Sequence, residues 1–191
     1  MRHVLLVIIA AWAAGCRSDD LAQDAAPPDA PVLQLPELRF AVVGDTRPAN
    51  LDDTANYPTD IVRQIWTDVE AEGPPFAVTT GDYMFASTSG TESVAQLKLY
   101  VQARSNYPGT VFPAMGNHEC TGATVSECGQ GNPNGITNNY NAFVSALLSP
   151  LGKTLPYYTI NVNGTNNAWT AKFVFIACNA WTSTQSTWLT G

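Results

Sequence analysis

From residue 38 onward, short apolar runs alternate with stretches whose apolar residues recur every three or four positions. Residues 39–44 (RFAVVG), 76–80 (FAVTT) and 110–114 (TVFPA) each predict a strand closed by a polar or glycine turn. Between the first two, residues 59–71 predict a helix with Ile61, Ile65, Trp66 and Val69 on one face; Thr59 can cap its start, and Gly73-Pro74-Pro75 ends it. A second helix is predicted over about 93–104, with Val94, Leu97 and Val101 inward, and a third over 139–148 from Tyr140, Phe143, Val144 and Leu147. The repeated order of strand, turn and helix predicts parallel βαβ units. Residues 157–162 and 171–178 then read as two strands, and Asn163-Gly164-Thr165-Asn166-Asn167 between them supplies the turn of an antiparallel hairpin. The expected class is α/β with a mixed sheet.

The first 35 residues follow a different pattern. Arg2 and His3 precede an apolar run over 4–13, too short to span a bilayer as a mature helix. It ends in Ala13-Ala14-Gly15-Cys16, which resembles a bacterial lipobox with Ala13 at the usual leucine position. On that resemblance residues 1–15 are a lipoprotein signal peptide, Cys16 is the lipidation site, and the chain is exported and held on the membrane by its lipid. An ordinary signal peptide with an incidental cysteine is the alternative. Residues 16–36, rich in Asp, Ala and Pro, read as a tether, and 37–191 as the folded domain.

Charge and cysteine content narrow the function. The 191 residues carry a formal net charge of -7, so no electrostatic footprint for a nucleic-acid backbone is present, and no nucleic-acid partner is expected. A small anionic substrate remains compatible, because bound cations reverse the local field of an acidic pocket. Beyond Cys16 the cysteines are Cys120, Cys128 and Cys178. An exported chain can form disulfides, and Cys120 with Cys128 would close a short loop rich in Gly, Asn and Thr. Cys178, in the run FVFIAC, reads as a buried small hydrophobe.

The candidate chemistry sits where the first three strands end. Asp45 follows Gly44, Asp82 follows Gly81, and Asn117-His118-Glu119 follows Gly116. In open α/β sheets functional groups collect at the carboxyl ends of strands. Carboxylate and carboxamide oxygens suit hard cations, and imidazole suits iron, zinc and manganese. The blocks VVGDTR, TTGDYMF and AMGNHE resemble the first three motifs of the calcineurin-like metallophosphoesterases, the group that includes purple acid phosphatases. The resemblance implies an αββα sandwich with mixed sheets, of which the C-terminal part is missing here. It implies two divalent or trivalent metal ions (Mn, Fe or Zn) and a small phosphate-ester substrate. Asp45 resembles a first-metal ligand, Asp82 the carboxylate bridging both metals, and Asn117 a second-metal ligand. His118 resembles the catalytic histidine that assists the leaving oxygen, with Glu119 orienting it.

Three departures accompany the resemblance. Arg47 stands where the family's first block has a histidine, and a guanidinium does not ligate metals; it is read as gripping the substrate phosphate, the alternative being a surface arginine beside Pro48. Phe85 stands where purple acid phosphatases carry an iron-binding tyrosine, while Tyr83 is adjacent to Asp82 instead, so a tyrosinate-bound ferric centre is not supported. The family's later histidine blocks are missing, since the two histidines are His3 and His118. The sequence therefore reads as a fragment or truncated product, expected to bind metal weakly, to expose strand edges and to show little activity by itself. The two functions left open are a metal-dependent phosphomonoesterase or phosphodiesterase and a non-catalytic surface lipoprotein on a degenerate scaffold. The reading frame beyond residue 191 discriminates them.

Overall fold

The computed structural model describes residues 4–10, 33–89, 91–122 and 127–191, of which 4–10 are described as backbone only. Cys16 and most of the tether lie outside these residues. Among the described residues, seven strands and five α-helices follow in the order β1 (Val4–Ala10), β2 (Leu33–Leu35), β3 (Ala41–Val43), α1 (Thr59–Glu72), β4 (Phe76–Thr79), α2 (Glu92–Ala103), β5 (Thr110–Pro113), α3 (His118–Thr121), α4 (Asn138–Phe143), β6 (Tyr158–Gly164), β7 (Thr170–Ile176) and α5 (Ser183–Thr190).

The strands form two sheets. One is parallel, in the order β3-β4-β5, with Val43 opposite Thr79 and Thr79 opposite Pro113. Its three carboxyl ends therefore lie side by side, one turn before the three motif loops. The other has the order β1-β7-β6-β2. Here β6 and β7 are an antiparallel hairpin with Tyr158 opposite Phe175, while β1 and β2 run parallel to β7 and β6. The apolar run expected to be an export signal thus carries backbone pairing, Val4 to Ala10 against Thr170 to Ile176. Among the described residues no helix is long and apolar enough to cross a membrane.

Aromatic rings fill the space between the sheets. Phe173 of β7 meets both Phe40 and Phe76 edge-on, at centroid distances of 5.0 and 5.5 Å, and the Tyr158 hydroxyl donates to the Pro113 carbonyl at 2.8 Å. The alternation of β6 explains its placement: Tyr158, Ile160 and Val162 are buried and the residues between them half-buried. All four residues of β4 are buried, as expected for a central parallel strand covered on both faces. The outer face of the parallel sheet is covered by α1 and α2, where Trp66 stacks on Tyr107 at 5.6 Å.

Several expectations change in detail. The buried residues of α1 are Val62 and Trp66, and Ile61 is 66 % exposed. Thr59 is the first helical residue rather than the cap, which is Pro58, whereas Gly73 ends the helix at φ 61°, a left-handed conformation suited to glycine. The inward face of α2 is Ser93, Gln96, Leu97, Tyr100 and Ala103, with Val94 65 % exposed. The helix expected over 139–148 is α4 followed by a wider π-helical turn over Val144–Leu148, with Thr137 capping it by accepting from the Tyr140 N–H. Cys178 lies in a 3-10 turn after β7 and is half-buried rather than a strand residue. The outer edge of β3 is open: Val42 is 60 % exposed, and Phe40, Val42, Ile65 and Val69 line a groove of about 470 Å³.

Candidate metal and phosphate site

The three motif loops are locked to one another by backbone groups. Asp45 N–H donates to the Gly81 carbonyl at 3.2 Å, joining the first loop to the second. The second and third loops are joined by Glu119. Its carboxylate is completely buried and accepts three backbone N–H groups, from Asp82 at 2.8 Å, Tyr83 at 2.8 Å and Gly116 at 2.9 Å. Its oxygens bind the loops, and the buried Nδ1 of His118 has no hydrogen-bond partner, so Glu119 does not orient the imidazole through it.

The loops approach too closely for side chains at two glycines. A Cβ on Gly81 would lie 2.4 Å from the Gly116 nitrogen, and one on Gly116 would lie 2.2 Å from Asp82 Oδ1. Asp45 and Asp82 both take left-handed backbone, at φ 55° and 57°. Aspartate tolerates this region better than most residues, and such strain concentrates at functional sites. Here it turns each carboxylate out of its strand.

Asp82 is the centre of the arrangement. Its Oδ2 lies 3.5 Å from Arg47 Nε and 3.6 Å from His118 Nε2, while its Oδ1 is buried with no hydrogen-bond partner. Burial, and then the charge of Asp45, push the Asp82 carboxyl above its ordinary pKa, so the two carboxylates feel each other. Asn117 sits at the start of α3 with its Nδ2 donating to the Gly122 carbonyl at 3.5 Å, on the branch of the carboxamide opposite the oxygen that a cation would use. Beside these groups an open cleft of about 380 Å³ is lined by Asp45, Arg47, Pro48, Ala49, Asn56 and Pro58.

Arg47 is held in place rather than waving in solvent. Its Nη1 donates to the Pro48 carbonyl at 3.1 Å, and its guanidinium carbon lies 4.8 Å from the centre of the Phe85 ring. The same ring meets His118 edge-on at 4.5 Å. Tyr83, in contrast, points into the core: its hydroxyl donates to the Ala114 carbonyl at 2.8 Å and shares a hydrogen bond with Thr79 at 2.6 Å. Burial drives its pKa well above the ordinary value, so it stays a neutral phenol.

A sequence profile of the family described as calcineurin-like phosphoesterase matches residues 38–177. The chain belongs to the calcineurin-like phosphoesterase family. No curated protein and no solved structure was found to match it. Membership implies metal-dependent hydrolysis of phosphate esters, and the two sheets with their helices agree with the family's fold.

Among the described residues no three His, Cys, Asp or Glu side chains are grouped so that they could hold a metal ion. Of the residues that the family resemblance points to, Asp45, Asp82 and Asn117 would supply oxygen donors. Hard oxygen donors of this kind fit Mn²⁺ or Mg²⁺ better than soft metals. The orphaned Asp82 Oδ1 lies against Gly116.

Two further groups at the site have shifted pKa values. Burial, and then Asp82, push Glu119 up to about 7 against three amide donors. Burial, and then Arg47, pull His118 down to about 4, so the imidazole is neutral at pH 7.

Other site residues were not singled out from the sequence. The completely buried Gln96 grips Phe85 at both ends of its backbone, accepting from its N–H at 2.7 Å and donating to its carbonyl at 3.3 Å. Asn139, also completely buried, donates to the carbonyls of Ala86 and His118 at 2.8 and 3.1 Å. The available signal for Gln96 was its spacing from Ser93 and Tyr100, which puts all three on one face of α2. Cys120 and Cys128 are disulfide-bonded, and the Thr137 hydroxyl donates to the Cys120 carbonyl, so α3 is tied down just after His118.

Proposed function

We propose that this protein hydrolyses small phosphomonoesters or phosphodiesters outside the cytoplasm, held to a membrane by a lipid on Cys16. The observation carrying the activity is the convergence of Arg47 and His118 on a single oxygen of Asp82, at 3.5 and 3.6 Å, at the carboxyl ends of adjacent parallel strands. A bound cation supplies activated water and charge stabilisation for attack on phosphorus.

The protein's own residues do the rest. Arg47 presents a fixed guanidinium to the phosphate at the mouth of the open cleft, where the alcohol part of the ester finds room. The edge of His118 rests on Phe85, which fixes the ring plane. Burial, and then the charge of Arg47, hold the imidazole pKa down; a phosphate dianion beside Arg47 offsets the second of these and so favours protonation of His118, the proton donor to the leaving oxygen.

The test is turnover of an aryl phosphate and a bis-aryl phosphodiester with added Mn²⁺. Asp82→Ala is expected to abolish it and Arg47→Ala to raise KM. Full turnover by Asp82→Ala would refute the assignment. No turnover of either ester, by this chain and by any longer product of its reading frame, would favour a non-catalytic lipoprotein. Radiolabelled palmitate incorporated by the wild type and lost in Cys16→Ser tests the anchor.

A further inference from the structure

We propose that the guanidinium of Arg47 takes the place of one cation, so that this site holds a single divalent ion where the family resemblance implies two. The inference deepens the phosphoesterase reading and rests on it for the identity of the site. A carboxylate that bridges two cations gives one oxygen to each. Asp82 uses its oxygens unequally: Oδ2 faces Arg47 Nε at 3.5 Å and His118 Nε2 at 3.6 Å, whereas the buried Oδ1 has no hydrogen-bond partner. One oxygen therefore already faces a positive charge of the chain, across a contact that is an ion pair and not a hydrogen bond, since Arg47 Nε has no hydrogen-bond partner. The other is a bare acceptor in a buried place, an arrangement that folded proteins rarely leave unfilled.

Arg47 is built into this position. Pro48 accepts from its Nη1, its flat face lies over Phe85, and the backbone of Phe85 is clamped by the completely buried Gln96. The two residues that stand where the resemblance would put metal-binding side chains, Arg47 and Phe85, thus touch each other. Neither ligates a metal, and together they hold a guanidinium against the carboxylate. A second divalent ion on Oδ2 would meet the permanent positive charge of Arg47. On the other side, Asp82 Oδ1 lies against Gly116, the residue before Asn117. The site fits one hard cation and a phosphate-binding guanidinium.

The test counts ions. The protein is stripped with EDTA and titrated with Mn²⁺, and electron paramagnetic resonance reads both the free ion and any exchange-coupled pair. The wild type is expected to take up one Mn²⁺ per chain with no coupled signal. Arg47→His, checked for native circular dichroism, is expected to take up two and show coupling, and Asp82→Asn to lose the single ion. Two ions or a coupled signal in the wild type would overturn the proposal, as would no bound ion, or Arg47→His remaining at one. The wild-type count decides even if the variants misfold. Two bound ions with ester turnover would defeat this inference and leave the phosphoesterase reading standing. One bound ion with no turnover of either ester would do the reverse.

Discussion

Glu119→Ala removes the clasp between the second and third motif loops, and its effect can be worked from the structure. Three backbone N–H groups lose a charged acceptor, and each buried donor left without a partner costs ~1–3 kcal/mol. Against this, the wild-type carboxylate is strained by burial. Burial raises its pKa from 4.5 to about 7 even though the three amides lower it, so the ionised form is disfavoured on balance. With each amide near the low end of its range, the net loss at pH 7.5 is about 3 kcal/mol. That is about a 10 °C fall in Tm for a chain of this size. The pH dependence carries the sharper signature. A carboxyl whose folded pKa lies above its unfolded value stabilises most below the unfolded pKa, and that contribution is lost as pH rises through about 7. The margin of wild type over Glu119→Ala should therefore widen on acidification, by about 2 kcal/mol between pH 7.5 and pH 5. Urea denaturation of both proteins in EDTA at the two pH values measures it, and the comparison cancels contributions from titrating groups that do not interact with Glu119. A margin that narrows on acidification, or one below about 1 kcal/mol at both pH values, would refute the reasoning.

Three further outcomes are expected. His118, pulled down to about 4 by burial and then by Arg47, should stay neutral by NMR until the pH falls well below 6, and Arg47→Ala should raise its titration midpoint. The sign is opposite to that of Glu119: the stability His118 contributes is complete above its unfolded value of 6.5 and is lost as pH falls toward about 4. Reducing the Cys120–Cys128 disulfide, which spans a sequence separation of 8, should cost about 2–3 kcal/mol on the loop-entropy estimate, read as a lower urea midpoint in dithiothreitol that Cys120→Ser/Cys128→Ser reproduces. Phe173→Ala, emptying the fully buried ring that links the sheets through Phe40 and Phe76, should cost ~3–5 kcal/mol in chemical denaturation.

The parallel strands, the hairpin and the turn at Asn166 were legible because apolar runs and turn residues alternate there without competition. Asn166 and Asn167 take the left-handed backbone that asparagine tolerates, at φ 56° and 55°. The helix faces were read less well, for a physical reason. Hydrophobicity put Val94 inward on α2, but the neighbouring face is buried because its polar groups are satisfied. Gln96 replaces the missing backbone partners of Phe85, and Tyr100 packs on Tyr83 at 4.9 Å. Gln185 does the same at the end of β7, accepting from Ala177 N–H at 2.9 Å and donating to its carbonyl at 3.2 Å. Buried carboxamides of this kind leave no mark in an apolar pattern.

The role of Glu119 was hidden for a related reason, and it links stability to function. A carboxylate beside a histidine suggests an orienting pair, because sequence adjacency shows neither where the three loop amides point nor that they lack strand partners. Parallel strands that end side by side leave such amides unpaired, and a buried acceptor has to meet them. Glu119 meets them from the third loop and so brings Asp82 under the imidazole next to it in sequence. The group that closes the fold at this edge is therefore also the one that sets the distance between Asp82 and His118, and loosening one necessarily loosens the other.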